Sequence, residues 1–157
     1  MAEYLVYCDG GCNGRYGEHN MYGSFAVYEI SGPYGNHLHT DLVEKEPIHH
    51  ASRFPIENRK TTNNVAEAST FLTAITYLAE NGFLAPWNTV HLCMDSELVL
   101  RHLSGAYRVK DMALKSIYKG VDEVLCRLTQ KYGSPAGKNL ILHQIPGDLM
   151  KQTIIAH

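Results

Sequence analysis

The chain has 157 residues, with 14 Lys and Arg against 16 Asp and Glu, a net charge of −2, 45% hydrophobic residues and 19% charged ones. Length and composition specify one domain, residues 1–157, large enough to bury a core without metal or disulfide staples. They exclude a disordered chain, a collagen-like repeat and a small stapled scaffold.

No apolar run approaches the roughly 18 residues of a membrane span. The opening MAEYLVYCDGG has neither the basic region nor the long apolar stretch of a secretion signal. The expectation is a cytoplasmic, monomeric protein with no membrane partner. Cys8, Cys12, Cys93 and Cys126 make no close pairs, so they read as reduced thiols. Charge is unevenly laid out: residues 1–52 hold seven acids and two bases, whereas 101–119 hold five bases and one acid. That second stretch is a solvated helix face or a weak nucleic-acid contact.

In chain order, Tyr4 to Cys8 is β-prone and stops at Asp9-Gly10-Gly11. Gly23 to Ile30 alternates again, after a loop too long for a tight hairpin. Residues 31–59 contain three of the six prolines, and one β-like stretch near 38–43 predicts a third strand followed by a long loop. Val65, Ala68, Leu72, Ile75 and Ala79 are spaced for a helix that starts at an Asn64 cap and closes at Gly82. Val90 to Met94 reads as a buried strand running into Asp95. A short helix over 97–103 closes at Gly105, and a longer one carries Leu114, Ile117, Tyr118, Val121, Val124, Leu125 and Leu128 on one stripe. A last strand, 140–145, is halted by Pro146-Gly147, and one or two helical turns follow. This order predicts a mixed α/β domain, a three-strand meander followed by parallel strands joined through helices.

Three acids stand at element boundaries: Asp9, Glu67 and Asp95. Each has a modest explanation. Asp9 fits a turn, Glu67 fits the third position after an Asn64 cap, and Asp95 fits the cap of the next helix. Jointly they fit something else, because the carboxyl ends of neighbouring parallel strands converge at one edge of an α/β sheet. Crowded carboxylates repel unless a cation is present, and hard oxygen donors suit Mg²⁺ or Mn²⁺.

The segments YCDGG, TTNNVAE, CMDSELV and LSGAYRVKDMAL together resemble the type 1 ribonuclease H family over nearly the whole chain apart from about 31–59. The last segment is similar to members without the basic handle helix. The resemblance implies a ribonuclease H-like five-stranded mixed sheet with helices on both faces. It also implies hydrolysis of the RNA strand of an RNA/DNA hybrid with two metal ions, Asp9 bridging both. The backbone around Gly10, Gly11, Cys12 and Asn13, with the Asn63 side chain, would meet 2′-hydroxyls, and Asn64 base edges or sugars. Lys60 and Thr62 match positions that hold a DNA-strand phosphate, or else serve helix capping. Arg101, Arg108, Lys110 and Lys115 would add phosphate attraction.

The family's fourth acid lies in an Asn-x-x-Ala-Asp type segment, where this chain has Thr153-Ile154-Ile155-Ala156-His157. Aligned on the alanine, His157 takes the place as the expected fourth metal and catalytic ligand. Asp148 is the rival, and a set of three acids is the third possibility. Imidazole is neutral and softer than carboxylate, so the metal expectation tilts toward Mn²⁺. The same acids on a nuclease of branched or duplex DNA, or on a hybrid-binding module without activity, are the competing readings. The pairs His37/His39 and His49/His50 lack the further Cys or His of a zinc site.

Overall fold

In the computed structural model, the structure describes residues 1–15, 18–30, 46–133 and 135–155. The elements are β1 (Glu3–Arg15), β2 (Glu18–Ile30), β3 (His49–Ile56), α1 (Asn63–Glu80), β4 (Thr89–Met94), α2 (Glu97–Leu103), α3 (Met112–Tyr132), β5 (Leu140–Gln144) and α4 (Gly147–Met150). The five strands form one sheet in the order β3-β2-β1-β4-β5. β1 runs antiparallel to β2 and parallel to β4, and β5 is parallel to β4. Among the described residues no helix is long and apolar enough to cross a membrane.

The period-two alternation of β1 divides the core between two faces. Val6 and Cys8 pack under α1 and α3 with Phe71, Ile75, Leu78, Leu114, Val121 and Val124. Leu5 and Tyr7 point the other way, to Tyr28, Cys93, Ile145, Met150 and Ile155. Each large apolar side chain so buried contributes about 1.5–3 kcal/mol. The expected five-stranded mixed sheet therefore forms, with α1 and α3 on one face and the turn after β5 on part of the other.

Three expectations are corrected. First, Asp9-Gly10-Gly11 does not end β1, because the β1–β2 ladder continues from Glu3↔Ile30 through Gly10↔Gly23 to Arg15↔Glu18. The two glycines mark close approaches instead of a turn. A Cβ on Gly10 would stand 2.5 Å from the Ala66 carbonyl oxygen, and one on Gly11 2.5 Å from the Tyr22 hydroxyl. Second, β3 occupies His49–Ile56, within the stretch expected to be loop; the strand expected near 38–43 lies outside the described residues. β3 is an edge strand, which tolerates Pro55 and a shift of register opposite Gly23 and Phe25. Its Arg53 takes a positive φ of 49° and donates its backbone N–H to Ser24 Oγ at 2.8 Å. That bulge breaks the alternation by which a strand is recognised. The ring of His49 stacks on Tyr77 at 3.9 Å, an aromatic packing role; His37 and His39 lie outside the described residues.

Third, the cap of α1 is Thr62, whose hydroxyl accepts from the Val65 N–H at 3.1 Å. Asn64 is already inside the helix. The ends of α1 and α2 fall as expected, with Gly82 and Gly105 at positive φ just beyond them.

Candidate active site

Asp9 lies in β1 two residues beyond Tyr7, the last residue paired with β4, and Asp95 lies two beyond its partner Cys93. Extending that register brings the two acids level, at an edge where β4 has ended. Glu67 arrives from the opposite side, five residues into α1. The helix can come this close because Gly10 has no side chain: its missing Cβ would overlap the Ala66 carbonyl and lie 2.7 Å from the Glu67 nitrogen.

The capping explanations for the acids do not hold. With Thr62 as the cap of α1, Glu67 is outside the first turn, and no acid lies in that turn. Ser96, not Asp95, caps α2, its hydroxyl accepting from the Val99 N–H at 3.3 Å. Two neighbouring hydroxyl residues do the local work, which leaves both carboxylates for other use.

The electrostatics show the crowding. Burial pushes the Asp9 carboxyl up to about 7, and the charges of Asp95 and Glu67 push in the same direction, against a lowering contribution from the Gly10 N–H. Burial also raises Glu67, with Asp95 adding to it, while a hydrogen bond from Ser96 favours its ionised form. Asp95 is raised by burial and held back by its own backbone N–H. Each acid is thus disfavoured as an anion in the absence of a cation. As a donor set of three carboxylates, they fit a hard divalent ion by atom type and charge. Among the described residues, however, no group of three His, Cys, Asp or Glu side chains is placed so that it could hold a metal ion as it stands.

The other anticipated residues are dispersed around this edge. Asn63 and Asn64 are exposed on the first turn of α1, and Asn13 is exposed near the end of β1, with Cys12 half-buried beside it. Lys60, expected to hold a phosphate, is paired with Asp111, whose other carboxylate oxygen caps α3 at the Leu114 N–H, 3.0 Å away. His157 lies outside the described residues. Its rival Asp148 is exposed on α4, in a turn whose Gly147 would carry a Cβ 3.7 Å from Asp95 Oδ2.

Sequence reasoning missed two neighbours. Ser96 bridges the acids by bonding Glu67 from the position after Asp95, a link signalled by the Asp-Ser pair at a strand-to-helix junction. Tyr118 is pushed up to about 12 by burial and by the field of Glu67, and its hydroxyl meets His102 Nδ1 at 2.9 Å. No local pattern announced that contact, because α2 and α3 meet only in the fold.

No protein-family profile matches the chain, and no curated protein does. Solved structures do match. LC11-RNase H1, isolated from compost by a metagenomic approach, is 26% identical, with a TM-score of 0.62 over 94% of this chain and 87% of its own. The N-terminal ribonuclease H domain of a Mycobacterium tuberculosis protein superposes with a TM-score of 0.66 at 18% identity, covering 94% of this chain and 85% of that one. The chain has the type 1 ribonuclease H fold. The RNase H1 of the halophilic archaeon Halobacterium salinarum agrees, at 20% identity and a TM-score of 0.62 over 96% of this chain and 91% of its own. The type 1 ribonuclease H resemblance read from four short segments is thereby borne out in the fold.

Proposed function

We propose that this protein is a metal-dependent endonuclease that cleaves the RNA strand of RNA/DNA hybrids, leaving 3′-hydroxyl and 5′-phosphate ends. The observation that carries the reading is that Asp9, just past the end of the β1–β4 ladder, feels the charges of both Asp95 and Glu67, each of the three carboxyls being raised by burial. Its support among similar folds is LC11-RNase H1, solved in complex with an RNA/DNA hybrid.

Asp9, Glu67 and Asp95, with His157 as fourth ligand, would hold two ions, Mg²⁺ or Mn²⁺. When bound, such ions would supply acidification of the attacking water and stabilisation of the leaving 3′ oxygen. The protein's own part is to set the acids rigidly. Gly10 admits α1, and Ser96 orients Glu67 by donating to it. The backbone of Gly10, Gly11, Cys12 and Asn13, with Asn63 and Asn64, would read the minor groove and its 2′-hydroxyls. Thr62 would reach a phosphate only with the hydroxyl that already accepts from Val65, and Lys60 would have to leave Asp111 for one.

The test is an end-labelled hybrid incubated beside duplex RNA, duplex DNA and a four-way junction, with Mg²⁺, Mn²⁺ or EDTA. Cleavage confined to the hybrid and abolished by EDTA supports the proposal. Preferred cleavage of the junction assigns the fold to branched DNA, and hybrid binding without cleavage under excess Mn²⁺ reduces it to a binding module.

A further inference from the structure

The second face of the sheet carries a polar chain that the nuclease reading does not use. Glu3, His91 and His143 step diagonally across β1, β4 and β5. The register places His91 beside Leu5 and His143 beside Cys93, all on the face occupied by Leu5 and Tyr7. His91 Nε2 lies 2.7 Å from Glu3 Oε1, and His91 Nδ1 lies 2.9 Å from His143 Nε2. The turn after β5 covers this face only in part: Ile141, the register partner of His91, is 41% exposed, and the His91 side chain is 18% exposed.

The proton positions follow from the donor inventory. An ionised carboxylate only accepts, so His91 donates from Nε2 to Glu3 and a neutral His91 presents a lone pair at Nδ1. His143 must then donate from Nε2 into that lone pair. Burial and the facing His91 hold His143 below the usual imidazole range, in the neutral form that ligates metals. The two nitrogens therefore face each other across a single proton.

We propose that His91 Nδ1 and His143 Nε2 form a binding site for a borderline transition-metal ion such as Zn²⁺, with Glu3 as the carboxylate that orients His91. The ion takes the place of the shared proton, and the proton of His143 moves to its Nδ1. Tetrahedral ligands at about 2.0–2.1 Å from zinc lie about 3.3 Å apart, so the nitrogens need open by only a few tenths of an ångström. A carboxylate accepting from the far nitrogen of a ligating His is the usual support of such a ligand. Among the described residues no third His, Cys, Asp or Glu joins the pair. Two positions are thus left to water, and the affinity is that of an open site, not a structural one.

The test is Zn²⁺ titration of the full chain by calorimetry, with excess Mg²⁺ to compete for the carboxylates of the other site. Wild type is expected to bind one Zn²⁺ more than His91→Ala or His143→Ala, and Glu3→Gln to bind that ion about tenfold more weakly. Imidazole ¹⁵N spectra of the wild type give a readout free of any folding defect, and the His91 Nδ1 and His143 Nε2 signals are expected to move on Zn²⁺ addition. Unchanged stoichiometry in both alanine variants, or imidazole signals that do not respond, overturns the site. Hybrid cleavage in His143→Ala should equal wild type, so failure here and failure of the nuclease reading are separable.

Discussion

Asp9 and Asp95 each lie two residues past the Tyr7–Cys93 pair that closes the parallel ladder between β1 and β4, and the charge of Asp95 acts on Asp9. β1 continues along β2 while β4 stops, so Asp9 remains held in a strand with one side of that strand open. This arrangement fixes the acid without filling the space beside it. The charges of Asp95 and of Glu67 on α1 add to burial in raising Asp9, and that of Asp95 adds to burial in raising Glu67.

Replacing Asp9 should therefore separate activity from stability. Asp9→Asn is expected to lower hybrid cleavage by about a hundredfold or more, since a carboxylate charge that would hold the ions is lost. In EDTA the same variant should be more stable than wild type by about 1–2 kcal/mol, a figure discounted for the water that reaches the site. Mg²⁺ should raise the melting temperature of the wild type and do much less for the variant. Thermal melts with and without metal check both statements; a less stable Asp9→Asn in EDTA contradicts the crowding argument.

The pH dependence of the metal-free protein follows from the same group. Asp9 binds its proton more tightly in the folded state, up to about 7 against an ordinary 3.8. The stability it contributes is present at low pH and is lost as pH rises through that window, levelling off above about 7. Denaturant melts at stepped pH in EDTA should show this decline in the wild type and a flatter curve in Asp9→Asn.

Gly10→Ala should damage both fold and site. Its Cβ would meet backbone atoms of Ala66 and Glu67 at 2.5–2.7 Å, and backbone cannot turn aside as a side chain does. The expected cost is about 1–3 kcal/mol. Residual folded protein should bind Mg²⁺ more weakly than wild type because α1, and Glu67 with it, is displaced.

Thr62 and Asn64 separate capping from recognition. Thr62→Ala removes the hydroxyl that accepts from Val65 and should cost about 1 kcal/mol of stability. Asn64 is exposed within the first turn, so Asn64→Ala should leave stability within about 0.5 kcal/mol and raise KM for the hybrid. Equal KM in Asn64→Ala and wild type would remove that residue from the substrate set.

At the fourth ligand position, His157→Ala is expected to abolish most activity while Asp148→Asn does not, and Mn²⁺ is expected to support more activity than Mg²⁺. The reverse pattern of the two variants would transfer the role to Asp148. Equal titrations with the two metals would count against an imidazole ligand.

The amino-acid sequence by itself determined the long helices and the buried strands, and it singled out the three acids as candidates. Those features rest on local periodicity, as in the Leu114, Ile117, Val121 and Val124 stripe, or on residue types at strand ends. Tertiary structure alone decided the rest. Gly10 and Gly11 look like a turn until α1 and Tyr22 are seen pressing on them. β3 is hidden by its edge position and its bulge at Arg53. The caps at Thr62 and Ser96, one or more residues from where spacing placed them, free Glu67 and Asp95 for one another. Close approach, register and shared burial are relations between segments distant along the chain, and no local pattern encodes them.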